Sequence, residues 1–151
     1  MLATEILTMD HREALALISE IQNVRSNSPS HDEKFERLKS ALFLHMREEE
    51  EIFYPALAQH EEFSDIMEEN VPEHEMVKEM LAQMSELQPN DAVFQETLLE
   101  MKTALEVHMT SEEEDLFPDA IDTLGPEAID ALGTRIDQLK GESGMSRSAA
   151  M

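Results

Sequence analysis

Six residues stand at spacings suited to metal ligation: His11, His45, Glu49, His74, His108 and Glu112. His45 with Glu49, and His108 with Glu112, are four residues apart, which on a helix is one turn on the same face and about 6 Å of rise. A histidine and a glutamate so placed can reach one cation or two adjacent ones. Carboxylates can bridge two cations while imidazoles fill terminal positions. A nitrogen and oxygen donor set without sulfur suits iron, manganese or zinc rather than copper(I) or an iron–sulfur cluster. The chain has no cysteine, which removes disulfides, thiolate sites and thiol nucleophiles together. The expected site holds two metal ions, by preference iron.

These residues recur. His11 and His74, His45 and His108, Glu49 and Glu112, and Pro55 and Pro118 are each separated by 63 residues, and the segments HMREEEEIFYP and HMTSEEEDLFP make the correspondence visible. A helical hairpin used twice accounts for it. Turn-forming clusters at 26–30, 59–64 and 88–91 divide the chain into four long helical patterns. On the second, Phe35, Leu38, Leu42, His45, Glu49 and Ile52 follow at intervals of three and four, a single stripe. On the fourth, Leu98, Met101, Leu105, His108, Glu112 and Asp115 do the same, with Leu116 beside Asp115 to continue the apolar face.

Ser30 and Glu33 have capping-box spacing for the second helix, and Asn90 or Asp91 can cap the fourth. Pro72 implies that the third helix starts there or kinks. A last segment opens on Gly125-Pro126 and carries Ile129, Leu132, Ile136 and Leu139 at helical spacing. The expected architecture is all-α: an antiparallel up-down-up-down four-helix bundle over 1–124, a short fifth helix over 125–140 packed on it, and a mobile tail over 141–151.

Residues equidistant from a turn lie at one height in such a bundle. His11 and His45 flank Ser28 at equal distance, His74 and His108 flank Asp91 in the same way, and the midpoint of His45 and His74 falls inside the middle turn. All four imidazoles should therefore meet at one level of the core. Six polar side chains at that level without a cation would leave several buried groups unpaired, at about 1–3 kcal/mol each.

Composition narrows the partners. Thirty-four acidic residues against eleven basic ones leave a net charge of −23, which repels phosphate backbones and anionic lipid headgroups, so neither nucleic acid nor membrane is an expected partner. The N-terminus has no basic leader, and no stretch approaches a membrane span. A soluble, cytoplasmic protein is expected, as monomer or homodimer.

DHREAL, HMREEEEIFYP, EHEMVKEML and HMTSEEEDLFP resemble, in order and spacing, the hemerythrin-like HHE cation-binding domains over about residues 5 to 120. The resemblance implies a bundle holding a di-iron centre with an oxo or hydroxo bridge. It also implies His11, His45, His74 and His108 as terminal ligands, with Glu49 and Glu112 bridging. Two features depart from the oxygen-carrying members. Lys78 stands where they have a further histidine, and where they have an aspartate five residues after the last histidine this chain has Glu113. Five residues rotate about 140° around a helix against about 40° for four, which favours Glu112 over Glu113 as ligand. One fewer histidine leaves about two coordination positions open to a small ligand on a pair of octahedral irons, unless Glu48, Glu73, Glu75, Glu113 or Tyr54 closes the gap.

Other residues draw blander readings. His31 and His60, at helix ends and without repeat partners, read as surface histidines. Met46, Met109 and the other methionines read as core fillers. The run Glu48 to Glu51 reads as a solvated face with Glu49 alone turned inward, and Tyr54 as a half-buried packing residue. The leading functional expectation is a non-haem di-iron protein that binds or senses O2 or a related ligand such as NO or peroxide. The alternatives are a di-iron enzyme disposing of peroxide and an iron-buffering protein.

Overall fold

In the computed structural model, which describes residues 1–144, five helical rods follow in chain order. The first, α1, is Ala3–Asn23. The second, α2, covers 29–57 as Pro29–Glu48, a π-helical turn Glu49–Phe53, and Tyr54–Leu57. After a short 3₁₀ turn, Glu61–Phe63, comes α3, Ile66–Ser85. The fourth, α4, covers 92–124 as Ala92–Ser111, a second π-helical turn Glu112–Leu116, and Phe117–Leu124. The last, α5, is Pro126–Glu142. Helices α1 to α4 form the expected antiparallel bundle, with α5 laid along α1 and the ends of α2 and α4.

Local chemistry sets most helix ends. Pro29 supplies the first residue of α2 and the Ser28 hydroxyl accepts from the His31 amide at 3.2 Å. The cap is therefore Ser28, two residues before the expected Ser30. The capping-box spacing misled because Pro29, which has no N–H to satisfy, already belongs to the first turn. Asp91 caps α4 by accepting from the Val93 amide at 2.8 Å. Gly125, with φ of 88°, turns the chain between α4 and α5 in a region of backbone space that side-chain-bearing residues avoid. Pro72 neither begins α3 nor ends it: the helix starts six residues earlier, at Ile66, and carries the proline inside. Helix α5 runs two residues past its expected end, and residues 145–151 of the expected tail lie outside the described residues.

The two π turns occupy equivalent places in the 63-residue repeat. The Tyr54 amide donates to the Glu49 carbonyl and the Phe117 amide to the Glu112 carbonyl, five residues back in each case. Each is followed at once by proline, Pro55 or Pro118, whose ring would press on the carbonyl four residues earlier in a regular helix. The wider turn relieves that contact. The extra residue advances the inward face, so that Ile52, Phe53, Tyr54 and Leu57 are all buried on α2. On α4 the same shift buries Phe117 and turns Asp115, expected on the inner stripe, out to solvent.

Two apolar clusters fill the bundle. One holds Ile6 and Leu7, Phe53, Leu57, Ile66, Phe117, and the inner face of α5, Ile129, Leu132, Ile136 and Leu139. The other holds Leu17, Ile18, Leu38, Leu42, Leu81, Phe94, Leu98 and Met101, with Met46 and Met109 as core fillers. Between them lies a polar layer, because His11 separates Leu7 from Ala14 and His74 separates Ile66 from Val77 along their helices.

Candidate metal centre

The polar layer is made of the six expected residues. His11, His45, Glu49, His74 and Glu112 are buried, and His108 is nearly so, 14% exposed. One ligand atom from each of His11, His45, Glu49 and Glu112 lies within 4.8 Å of all the others, and the same holds for Glu49, His74 and His108. The two groups share Glu49. Glu112 spans them as well, with Oε1 at 3.1 Å from His11 Nε2 and Oε2 at 3.5 Å from His108 Nε2. Glu49 Oε1 lies 3.3 Å from His45 Nε2 and 3.1 Å from His74 Nε2. Each carboxylate thus faces one imidazole from each of two helices.

All four rings point Nε2 inward because a carboxylate holds each Nδ1 from outside. His45 Nδ1 donates to Asp10 at 2.9 Å, His108 Nδ1 to Glu73 at 2.5 Å, His11 Nδ1 to Glu113 at 2.8 Å and His74 Nδ1 to Glu50 at 2.7 Å. An ionised carboxylate only accepts, so it fixes the proton on Nδ1 and leaves Nε2 as the ligand atom. These four acids also obey the 63-residue repeat, as Asp10 with Glu73 and Glu50 with Glu113. None was singled out from sequence in this role. The signal was available, since each stands one residue from a ligand candidate, but which helix a neighbouring acid faces depends on the packing. Glu113 and Glu73, considered as extra ligands, each meet a ring Nδ1, while Glu75 is exposed beside Lys78 at 3.3 Å.

Three readings are corrected. Tyr54 is fully buried, not half-buried, and its hydroxyl donates to Glu112 Oε2 at 2.6 Å and lies 3.5 Å from His108 Nε2. The π turn carries it into the layer. Its repeat partner is Phe117: Tyr54 stacks on His74 and Phe117 on His11, so the hydroxyl is a departure from twofold symmetry. Glu48 is buried beside Glu49, because α5 covers that side of α2 and supplies Lys140 to meet it at 2.8 Å. His31 is buried against Phe94, since the start of α2 closes over the end of the bundle, and burial holds its pKa below the ordinary 6.5. His60 is exposed, as expected.

Electrostatics match the layout. Burial alone would push the His45 pKa down, but Glu49 and Asp10 raise it well above the ordinary value. The same contest raises His74 through Glu49 and Glu50, and takes His108 to about 9 through Glu112, Glu49 and Glu73. Against burial, the imidazoles hold the Glu49 carboxyl well below its usual range. Burial and the facing carboxylates keep the Tyr54 hydroxyl protonated far beyond its ordinary range, so it is a donor.

Whether a cation fits is decided by the unsatisfied atoms. His11 Nε2, His74 Nε2, both oxygens of Glu49 and Oε1 of Glu112 are buried without a hydrogen-bond partner. Where the proton stays on Nδ1 alone, Nε2 turns a lone pair toward carboxylate lone pairs, which is repulsive unless a second proton or a metal cation lies between them. Neutral imidazole with carboxylate, oriented by outer hydrogen bonds, is a donor set for iron, manganese or zinc.

Two cavities reach the layer. One, about 700 Å³, touches His45, Glu49, His74 and His108 and is walled largely by apolar side chains, among them Leu42, Met46, Val77 and Leu105. The other, about 490 Å³, reaches His108 and Glu112 past Glu61, Asp65 and Asp115.

The profile of the hemerythrin HHE cation-binding domain family matches residues 2–120 and again 65–142. The chain belongs to this family. The second match begins 63 residues after the first, the interval of the internal repeat. Among solved structures the chain is similar to a hemerythrin HHE cation-binding domain-containing protein from Mycobacterium kansasii, with a TM-score of 0.76 and 23% identity over 99% of this chain and 96% of that one. At that identity the likeness establishes the fold. No curated protein matches the sequence. Among the described residues no helix is long and apolar enough to cross a membrane.

Proposed function

We propose that this HHE domain is a non-haem di-iron protein that binds or senses O2, or a related small ligand such as NO or peroxide. His11 and His45 would hold one iron and His74 and His108 the other, with Glu49 and Glu112 shared between them. The observation that carries this reading is the set of buried, unpartnered Nε2 and carboxylate atoms facing one another across the layer. Iron held there would supply a Lewis acid and an electron donor or acceptor for a small ligand. The residues around it would do the rest. Asp10, Glu50, Glu73 and Glu113 hold the rings, Tyr54 offers a proton-bearing hydroxyl, and the apolar cavity admits a small uncharged molecule while discouraging ions.

Metal analysis of the purified protein, with optical spectra of the iron form under nitrogen and then air, tests it. Two irons per chain and a ferric charge-transfer band that develops on exposure to air are expected. Iron-loaded protein whose spectrum is indifferent to oxygen, nitric oxide and peroxide would refute the functional reading.

A further inference from the structure

Helix α5 does more than cover the bundle. It sends Lys140, with a side chain only 7% exposed, to within 2.9 Å of Asp10 Oδ1 and 2.8 Å of Glu48 Oε2. The other oxygen of Asp10, Oδ2, accepts from His45 Nδ1 at 2.9 Å, and His45 Nε2 faces Glu49 at 3.3 Å. An unbroken chain of charged contacts therefore runs from the last helix to the centre of the candidate site. Asp10, His45 and Glu48 also bring one ligand atom each within 4.8 Å of one another. The ammonium already meets the two carboxylates of that cluster, so it needs no further cation.

The other half of the repeat has no such support. Glu73, the counterpart of Asp10, is 53% exposed, and among the described residues no lysine or arginine is paired with it. The counterpart of Glu48 is Ser111, which is exposed. The two histidine pairs are therefore built alike on the inside and differently on the outside. A carboxylate gripped at one oxygen can pivot about its Cβ–Cγ bond, and a ring bonded to it can swing with it. Asp10 is gripped at both oxygens, one by the ammonium and one by the imidazole. Remove the ammonium and Asp10 is held at one oxygen only, by the imidazole, while Glu48 loses its charged partner.

We propose that Lys140 is a positioning residue: it pins Asp10, thereby fixes the His45 ring, and makes docking of α5 a condition for tight metal binding by the His11–His45 half of the centre but not by the His74–His108 half. This rests on the metal-binding reading above. Outer hydrogen-bond partners of ligand histidines change metal affinity by about 10–100-fold, and an effect of that size is expected on one of two metal ions only.

The test uses the full chain loaded with zinc(II) and titrated with a competing chelator. Wild type is expected to hold two equivalents, and Lys140→Met to release one of them at about 10–100-fold lower chelator concentration while keeping the other. Asp10→Asn should weaken the same equivalent, and Lys140→Met with Asp10→Asn should add little beyond either alone, because both cut one chain of contacts. Glu73→Gln should weaken the other equivalent and combine additively with Lys140→Met. Since Lys140→Met alone leaves the buried Glu48 carboxyl without its charged partner, Lys140→Met with Glu48→Gln is measured beside it and should show the same selective release. Release of both equivalents together, or of neither, from a folded variant overturns the inference while leaving the metal reading intact. A wild type that retains no zinc removes both.

Discussion

Tyr54→Phe isolates the contribution of one hydroxyl in the centre of the molecule. The substitution changes no packing volume of note, and the repeat shows that the position tolerates phenylalanine, because Phe117 occupies the equivalent place against His11. What is lost is a 2.6 Å hydrogen bond to the buried carboxylate of Glu112. Hydrogen bonds to charged groups contribute about 1.5–3 kcal/mol. For a chain of this length each kcal/mol moves the melting temperature by about 2–4 °C, so a loss of about 3–12 °C is expected for the metal-free protein. Urea denaturation of metal-free wild type and variant measures it directly. The double variant Tyr54→Phe with Phe117→Tyr carries the hydroxyl to the symmetric position, where its acceptor is Glu49, whose oxygens lack a hydrogen-bond partner. It should recover much of the loss. A Tyr54→Phe cost below about 0.5 kcal/mol, within the scatter of innocuous substitutions, would show that the phenol does not support Glu112. A double variant worse than the single would refute the equivalence of the two halves.

Metal uptake should strengthen as pH rises, because protons held on His45, His74 and His108 above the ordinary value must leave before a cation binds. For His108 the window runs from 6.5 to about 9, and calorimetry in buffers of different ionisation enthalpy should detect the released protons there. The sign is opposite for the metal-free fold. The raised His108 pKa contributes stability that is fully present below 6.5 and lost as pH rises through about 9, which urea melts across that range will show. Gly133→Ala should destabilise by about 1–3 kcal/mol despite alanine's better helix propensity. Its Cβ would fall 2.1 Å from the Met1 carbonyl oxygen and 3.0 Å from the Ala3 amide nitrogen, both backbone atoms rather than the ends of flexible side chains, and a urea midpoint at or above wild type would contradict this contact. His31→Leu should raise stability by about 1–3 kcal/mol by removing two buried ring nitrogens that have no partner. Metal content, measured alongside, should not change.

The class of fold and the six-residue layer were legible in the chain itself. Helical rise is constant and the hairpins are antiparallel, so equal distances from a turn mean equal heights. The recurrence after 63 residues repeats the same placement in both hairpins. Helical phase alone turned Glu112 rather than Glu113 inward, and Glu112 is the buried one of the two. What phase could not decide is anything beyond a change of pitch or across a helix interface. The π turns advance the inner face, which sends Asp115 outward and brings Tyr54 in. The duplicated proline hinted at an irregularity without giving its size. The acids on the Nδ1 atoms reach across from other helices, the burial of His31 depends on the bundle end closing over it, and the Lys140 contacts join residues 130 positions apart. Spacing along a chain reports which side of its own helix a residue occupies. Which neighbour that side meets is settled only when the helices pack, since the same stripe can face an imidazole, an ammonium or water.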